Sequence, residues 1–323
     1  MARVFISRKI PEAGMKKLRE FTDDFLVFPY DRPISEKELI ENIGNVEGLL
    51  CLLTDPITRR VIDAGKRLKI IANYAVGYEN IDVEYANKRG ILVTNTPGVL
   101  TDTTAELAWA LLLACVRRIV EADRFTREKR FNGWSPTLLL GTELNGKTLG
   151  IIGAGRIGTA FALKGKGFGL NVLYYDYHKN EVLENELGAK MVEMEELLKK
   201  SDFISLHIPL TEKTYHLMGK REFDLMKPSA YLINTSRGAV IDEKELIQAL
   251  KAGRIKGAGL DVYEEEPEIP DELIGLPNVV LLPHIGSATY EARNKMAETA
   301  VENLIAGLSG KTPPNLVNKT KTL

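Results

Sequence analysis

Short runs of valine, isoleucine and leucine alternate along the chain with segments of helical length that have one apolar face. In the first hundred residues these runs are RVFIS, GLLCLL, LKIIANY and ILVTN, and a later series comprises LGIIG, NVLYYD, DFISLHI, AYLINT, GAGLDV and NVVLLPH. Strands that alternate with helices are typical of βαβ units, whose strands are parallel. The pattern therefore predicts an α/β protein with two doubly wound parallel sheets.

The two series of strands are separated by a helical stretch predicted at 101–129 and a loop at 131–146. A chain of 323 residues is also longer than most single hydrophobic cores, which stop growing near ~250–300 residues. Periodicity alone therefore predicts two domains that meet near residue 100. It leaves the helical segment at 288–308 unassigned to either domain.

The composition argues against several classes of partner. The 43 basic and 44 acidic residues leave no excess of positive charge to attract nucleic acid or an anionic membrane surface. The most apolar window, Leu107–Val116, is about half as long as a bilayer-spanning helix. The first residues lack the apolar core and cleavage site of a secretory signal. We therefore expect a cytoplasmic protein that binds small molecules, with no nucleic-acid or membrane partner.

Cysteine usage excludes two further kinds of site. Cys51 lies in a strand-like run and Cys115 in the apolar helix, and the chain has no other cysteine. Two cysteines supply neither a disulfide framework nor a thiolate metal site. We expect both to be packing residues and predict no metal.

A glycine-rich turn directly follows the strand-like run LGII and precedes a helical pattern. Its sequence is GAGRIG, and the positions predicted to bind a cofactor are Gly153, Gly155, Arg156, Ile157 and Gly158. Glycines at this spacing permit a tight turn, a close approach of pyrophosphate, and contact between helix and strand. The helix N-terminus then presents N–H groups to the phosphates. The turn therefore predicts a dinucleotide site.

Asp176 ends the next predicted strand and lies 18 residues after Gly158. This is close to the ~20 residues expected of an acid that binds the adenosine ribose. A carboxylate there accepts hydrogen bonds from the ribose hydroxyls and repels a 2′-phosphate, so the spacing predicts NAD rather than NADP. His178 and Lys179 would weaken this discrimination without reversing it.

Polar residues that suit hydride transfer to a carbonyl follow other predicted strands. Such chemistry needs a cation that binds the substrate, an acid that protonates the oxygen, and a group that orients the acid. Arg237, Glu266 and His284 follow three strands, whose carboxyl ends meet at one edge of a parallel sheet. His207 also ends a strand, so the residues alone do not decide between the two histidines.

Five motifs together resemble the D-isomer-specific 2-hydroxyacid dehydrogenase family, and within it the glyoxylate/hydroxypyruvate reductases. They are GAGRIG, Asp176, INTSRGAVID (233–242), GLDVYEEEP (259–267) and LLPHIGSAT (281–289), and the resemblance spans essentially the whole chain. It implies that Arg237 binds and polarises the substrate and that Glu266 pairs with His284, the acid/base. The implied activity is reduction of a small 2-oxo acid by NADH, with glyoxylate or hydroxypyruvate favoured.

The resemblance also implies roles for residues that spacing alone does not single out. It implies that the backbone N–H groups of Val76 and Gly77 bind the substrate carboxylate and that Leu53 and Thr54 line the pocket. Further cofactor contacts are implied for Thr104, Thr235 and Asp261. Trp134 resembles a tryptophan that reaches the active site of the neighbouring subunit, or it is a buried interface anchor.

The architecture implied by the resemblance revises the domain boundary. A Rossmann NAD-binding domain, 100–286, is inserted into a flavodoxin-like substrate domain formed by 1–99 and 287–323. Members of the family are commonly homodimers that associate through the cofactor domain, so we expect a homodimer.

Three alternatives remain at this stage. A 3-phosphoglycerate dehydrogenase would need additional cations near the pocket and often carries a further regulatory domain. A formate dehydrogenase is disfavoured because the formate dehydrogenases of this family have glutamine at the position of Glu266. A non-enzymatic NAD-sensing protein of the same family would keep the same trio of residues, so turnover is the property that distinguishes it.

Overall fold

The computed structural model describes residues 3–318, which divide into two compact units. Unit 1 comprises 3–100 and 287–318, and unit 2 comprises Thr101–Gly286. The chain therefore leaves unit 1 after Leu100 and returns to it at Ser287. The predicted substrate domain also included residues 1, 2 and 319–323, which lie outside the described residues.

The strands and helices follow the alternation seen in the sequence. The strands are β1 Val4–Ile6, β2 Phe25–Val27, β3 Gly48–Leu52, β4 Ile70–Tyr74, β5 Leu92–Thr94, β6 Thr148–Ile152, β7 Asn171–Tyr175, β8 Lys190–Met191, β9 Phe203–Leu206, β10 Tyr231–Asn234, β11 Gly257–Leu260 and β12 Val279–Leu281. The helices are α1 Glu12–Phe21, α2 Glu36–Ile43, α3 Arg59–Ala64, α4 Val83–Lys88, α5 Thr101–Val116, α6 Ile119–Arg127, α7 Arg156–Lys164, α8 Glu181–Leu187, α9 Met194–Lys200, α10 Lys220–Leu225, α11 Glu243–Lys251, α12 Asp271–Ile274 and α13 Tyr290–Leu308.

Unit 1 is built on a parallel sheet of five strands in the order β2-β1-β3-β4-β5. This is the flavodoxin-like order, in which ligands bind near the carboxyl ends of β1 and β3, where the strand order reverses. Side chains of successive strand residues point to opposite faces of the sheet. On β3, Leu49 therefore packs against apolar residues of α2 and α3, whereas Leu50 packs against those of α1 and α13. Helices therefore cover both faces of the sheet.

Unit 2 is built on a parallel sheet of seven strands in the order β12-β11-β10-β9-β6-β7-β8. Counted from β6, the first six strands have the 3-2-1-4-5-6 order of the Rossmann fold, with β12 added at the edge. Residues of α5, α7 and α8 cover one face, and residues of α9, α10 and α11 cover the other. The predicted class, α/β with two doubly wound parallel sheets, is confirmed.

One predicted element is wrong in detail. The helical stretch expected at 101–129 is two helices, because Arg118 adopts a left-handed conformation with φ of 53° between α5 and α6. The backbone carbonyl of Val116 accepts a hydrogen bond from the N–H of Thr142 at 2.8 Å, so the following loop occupies the position where α5 would continue. No helix among residues 3–318 is long and apolar enough to cross a bilayer.

Candidate active site

The three glycines of the GAGRIG turn meet three different steric requirements. Gly153 has φ of 94°, and a Cβ there would lie 2.5 Å from the carbonyl oxygen of His207. Gly155 caps α7, and no atom lies within 4 Å of the place where its Cβ would be. A Cβ on Gly158 would lie 2.0 Å from the carbonyl oxygen of Gly153. The turn is thus closely packed against the sheet but open above Gly155, as a dinucleotide pyrophosphate requires.

Alanine substitutions at these glycines should separate packing from ligand approach. We expect Gly158→Ala to lower the free energy of unfolding by about 1–3 kcal/mol, because α7 must move away from β6. Gly155→Ala should leave that free energy nearly unchanged and weaken dinucleotide binding. Chemical denaturation and titration with NADH measure the two effects, and Gly167, with open space around it, is the matched control. Equal stability of all three variants would contradict the packing argument.

Asp176 follows β7 and is half-buried beside the glycine turn. Its Oδ2 accepts a hydrogen bond from the N–H of Ala154 at 2.7 Å, and its Oδ1 accepts one from the N–H of Tyr177 at 2.6 Å. These bonds fix the carboxylate at the carboxyl end of β7, next to the turn. A ribose carried by a dinucleotide on the turn would lie within its reach.

Glu266 and His284 form an acid/base pair at this edge of the unit 2 sheet. The Oε2 of Glu266 lies 2.7 Å from the Nδ1 of His284, and its Oε1 accepts a hydrogen bond from the N–H of Tyr263 at 3.1 Å. The pair leaves the Nε2 of a partly exposed imidazole available to a reacting group. His284 has φ of 53°, a left-handed conformation that is uncommon for a residue with a side chain.

Opposing influences set the ionisation of Glu266. Burial raises its pKa, but the hydrogen bond from His284 and the positive charges of His284 and Arg237 outweigh burial and hold the pKa below its ordinary value. Glu266 therefore remains a carboxylate at neutral pH and can stabilise a protonated His284.

A turn built by Asn234 carries Arg237. The side chain of Asn234 accepts hydrogen bonds from the N–H and Oγ of Ser236 and donates one to the carbonyl of Arg237 at 2.8 Å. Gly238 follows with no room for a side chain, since its Cβ would lie 1.8 Å from the backbone of Tyr263. This close contact joins the turn that carries Arg237 to the loop that carries Glu266. Asn234, Gly238 and Tyr263 all lie inside the motifs named above, but their structural roles do not follow from the sequence.

His207, the alternative histidine, has a different environment. Its Nε2 lies 2.9 Å from the Oγ of Ser205, and its ring packs against Phe161 with centroids 5.0 Å apart. Although part of the residue is solvent-accessible, burial of the imidazole lowers the pKa of His207 to about 3. His207 is therefore neutral in neutral solution and has no carboxylate partner among residues 3–318, unlike His284.

Asp261 organises the turn that follows His284. Its side chain is fully buried directly after β11, and its two oxygens accept hydrogen bonds from the N–H groups of Ile285 and Gly286 at 2.8 and 2.7 Å. Burial raises the pKa of Asp261 even though these donors favour the carboxylate. Thr104 lies beside the same turn, since a Cβ on Gly286 would be 3.7 Å from its Oγ1. The structure thus brings Asp261 and Thr104 to the backbone next to His284.

Thr235, another predicted cofactor contact, directly follows β10. Thr235 is buried, and its Oγ1 has no hydrogen-bond partner within residues 3–318. A buried hydroxyl without a partner is costly. This hydroxyl and the open space above Gly155 both suit a bound dinucleotide.

The predicted substrate contacts of unit 1 follow two adjacent inner strands of its sheet, β3 and β4. Leu53 and Thr54 come directly after β3, where Leu53 is half-buried and Thr54 is exposed. Val76 and Gly77 follow β4, and within residues 3–318 neither of their N–H groups donates a hydrogen bond. Free backbone amides of this kind suit an anion.

Trp134 lies outside both cores, in the irregular segment that follows α6. Its side chain is 85% exposed, and Phe131 and Leu140 in the same segment are also exposed apolar residues.

Both cysteines are buried and unpaired, and burial raises the pKa of the Cys115 thiol to about 12. No group of His, Cys, Asp or Glu side chains within 3–318 could hold a metal ion.

Comparison with known proteins gives a match over most of the chain. Residues 109–286 match the family model described as D-isomer specific 2-hydroxyacid dehydrogenase, NAD binding domain. The chain is 56% identical over 321 residues to a protein from Thermococcus litoralis named glyoxylate reductase, a match that covers 98% of this chain and 97% of that protein. A protein of the same name from Pyrococcus furiosus is 50% identical over 321 residues and is covered to 95%, with 98% of this chain matched.

Solved structures agree with this comparison. An NADPH-dependent glyoxylate/hydroxypyruvate reductase from Sinorhizobium meliloti, in complex with citrate, matches with a TM-score of 0.87 at 32% identity and covers 99% of both chains. A D-lactate dehydrogenase from Aquifex aeolicus, complexed with NAD and lactic acid, matches with a TM-score of 0.87 at 31% identity, over 98% of this chain and 99% of that one.

Proposed function

The chain belongs to the D-isomer-specific 2-hydroxyacid dehydrogenase family, and from this premise we propose that it reduces glyoxylate or hydroxypyruvate to the corresponding 2-hydroxy acid with NADH. Membership confirms the resemblance inferred from the motifs and makes the chain an NAD-dependent dehydrogenase. The observation that carries the proposal is the 2.7 Å pair of Glu266 and His284 beside the turn of Arg237. The relatives named glyoxylate reductase support the choice of a small 2-oxo acid.

His284 is the proposed acid of the reduction. NADH, when bound, supplies the hydride to the carbonyl carbon. The imidazolium of His284 donates its Nε2 proton to the carbonyl oxygen, and Glu266 at Nδ1 fixes the ring and stabilises its positive charge. In the opposite direction, neutral His284 accepts the proton of the substrate hydroxyl.

Arg237 and the backbone of unit 1 are the proposed groups for substrate binding. The guanidinium of Arg237 would bind a carboxylate oxygen and polarise the carbonyl group. The free N–H groups of Val76 and Gly77 would bind the carboxylate, and Leu53 and Thr54 would line the pocket. On the cofactor side, the proposed contacts are Thr104, Gly153, Gly155, Arg156, Ile157, Gly158, Asp176, Thr235 and Asp261.

A panel of 2-oxo acids assayed with NADH tests this proposal. We expect turnover of glyoxylate and hydroxypyruvate to exceed that of 3-phosphohydroxypyruvate. A clear preference for the phosphorylated acid would instead indicate a 3-phosphoglycerate dehydrogenase. Tight NADH binding without turnover of any 2-oxo acid would indicate an NAD-sensing protein.

Asp176→Ala tests the proposed discrimination between NADH and NADPH. Removal of the carboxylate removes a hydrogen-bond acceptor for the ribose and the repulsion of a 2′-phosphate, so the ratio of kcat/KM for NADH to that for NADPH should fall about tenfold or more. Steady-state kinetics with both cofactors give the ratio. If the ratio does not change, Asp176 does not contact the ribose.

A homodimer in the cytoplasm is the proposed state of the protein. The exposed apolar side chains of Phe131, Trp134 and Leu140 support association through the segment after α6, because a partner subunit could bury this apolar surface. The two unpaired cysteines are compatible with a reducing compartment. Sedimentation of the wild-type chain and of Trp134→Ala would test the dimer.

A further inference from the structure

A lysine near the proposed ribose site is held by a carboxylate. The Nζ of Lys179 lies 2.7 Å from the Oε2 of Glu184 in the first turn of α8. The other oxygen of Glu184 accepts a hydrogen bond from the hydroxyl of Tyr174 at 2.9 Å, and that hydroxyl accepts one from the N–H of Asn180 at 2.9 Å. Because the Tyr174 ring is buried in the sheet core, Glu184 has a fixed position from which to bind the lysine.

The loop that carries Lys179 is fastened at both ends to the glycine turn. Asp176 accepts a hydrogen bond from the N–H of Ala154. Asn180 donates from Nδ2 to the carbonyl of Ala154 and to the Oγ1 of Thr159, each at 2.8 Å. Lys179 is therefore confined to the short segment between two anchored residues, and Asp176 is only three positions before it.

The charge of Lys179 is relevant to a 2′-phosphate, which distinguishes NADP from NAD. A phosphate monoester carries a charge of roughly −1.5 to −2 at neutral pH and is readily bound by an ammonium group. Glu184 supplies the ammonium group of Lys179 with a hydrogen-bond acceptor and raises its pKa. The lysine side chain is nevertheless 65% exposed, so without the carboxylate it could turn toward a nearby anion.

We propose that Glu184 is a specificity-determining residue for the cofactor, which acts by keeping Lys179 from a 2′-phosphate. Two carboxylates then favour NADH in different ways: Asp176 repels the phosphate directly, and Glu184 neutralises a cation that would otherwise attract it. The inference rests on the proposed placement of the ribose at Asp176. It does not depend on which 2-oxo acid the enzyme reduces.

The two carboxylates should be energetically coupled. While Asp176 is present, its negative charge opposes a 2′-phosphate and limits the affinity for NADPH that a released Lys179 can add. Once Asp176 is replaced, the released ammonium can bind the phosphate. Glu184→Gln should therefore improve NADPH binding more in the Asp176→Ala background than in the wild type, and such non-additivity is the signature of groups that share a ligand.

Dissociation constants of NADH and NADPH, measured by cofactor fluorescence without a substrate, test this inference. The variants are Asp176→Ala, Glu184→Gln, the double variant, and the double variant with Lys179→Ala. In the Asp176→Ala background, Glu184→Gln should tighten NADPH binding about tenfold, the effect of one ammonium–phosphate contact, and leave NADH binding unchanged. Adding Lys179→Ala should abolish that gain.

The control variant is Glu196→Gln, which removes the same charge and breaks a similar 2.7 Å pair with Lys200 on α9. It should not alter the ratio of the two constants. No gain from Glu184→Gln in the Asp176→Ala background would overturn the inference, as would a gain that persists without Lys179. If Asp176→Ala alone leaves the ratio unchanged, the ribose site itself is misassigned.

Discussion

His284→Ala is expected to lower kcat for reduction of a 2-oxo acid by about 10³-fold, because it removes the proposed proton donor. A positioned general acid contributes typically ~10²–10⁴-fold to a rate. The affinity for NADH should change little, since the dinucleotide is expected on the glycine turn and at Asp176 rather than on the imidazole. Stopped-flow measurement of NADH oxidation, with NADH binding measured separately, gives both quantities.

His207 supplies the matched control for this experiment. His207→Asn keeps a side chain that can bond to Ser205, and the original imidazole is neutral in neutral solution. We expect its kcat to stay within a few fold of the wild-type value. A fully active His284→Ala enzyme, or a collapse of turnover in His207→Asn with the fold intact, would show that the wrong histidine has been assigned.

Arg237→Ala is expected to reduce kcat/KM for the 2-oxo acid by about 10³-fold. Loss of a charged group that binds an anionic substrate typically costs ~2–5 kcal/mol, and both KM and kcat should suffer if the guanidinium also polarises the carbonyl group. The variant also removes a positive charge that helps to lower the pKa of Glu266. Saturation kinetics with glyoxylate separate the two parameters.

Arg237→Lys distinguishes charge from geometry. Lysine keeps the positive charge and loses the planar fork that can hold two oxygens, so we expect an activity between those of the wild type and Arg237→Ala. NADH affinity should be the same in all three proteins. Unchanged KM and kcat in Arg237→Ala would remove Arg237 from the substrate site.

The strands and the glycine turn could be predicted because local physics decides them. Continuous apolar runs mark buried parallel strands. GAGRIG directly after such a run is compatible with few structures other than a dinucleotide-binding turn between strand and helix. The short edge strands β2 and β8 were not predicted. β8 has only two residues, one of them a lysine, and β2 is apolar but spans only three residues, with Leu26 exposed. The break at Arg118 was missed because its cause is the loop at Thr142, which is distant in sequence.

Side-chain partnerships were harder to predict than strands. Both His207 and His284 end strands, and spacing alone does not decide between them. The family resemblance implied His284, and in the structure Glu266 lies 2.7 Å from its Nδ1. The family resemblance implied a cofactor contact for Asp261. In the structure its two carboxylate oxygens accept hydrogen bonds from the backbone directly after His284. Contact with the cofactor stays a prediction for Asp261.

The interrupted course of unit 1 has a consequence for synthesis on the ribosome. One face of its sheet is covered by α1 together with α13, and α13 is translated only after the whole of Thr101–Gly286. At ~5–20 residues per second, the first hundred residues wait roughly 10 to 40 s for that helix. During this time the apolar side chains of Leu50 and Ile70 lack their partner, while unit 2 can already fold as one continuous segment. Nascent chains stalled before Tyr290 should therefore be the species most prone to capture by chaperones.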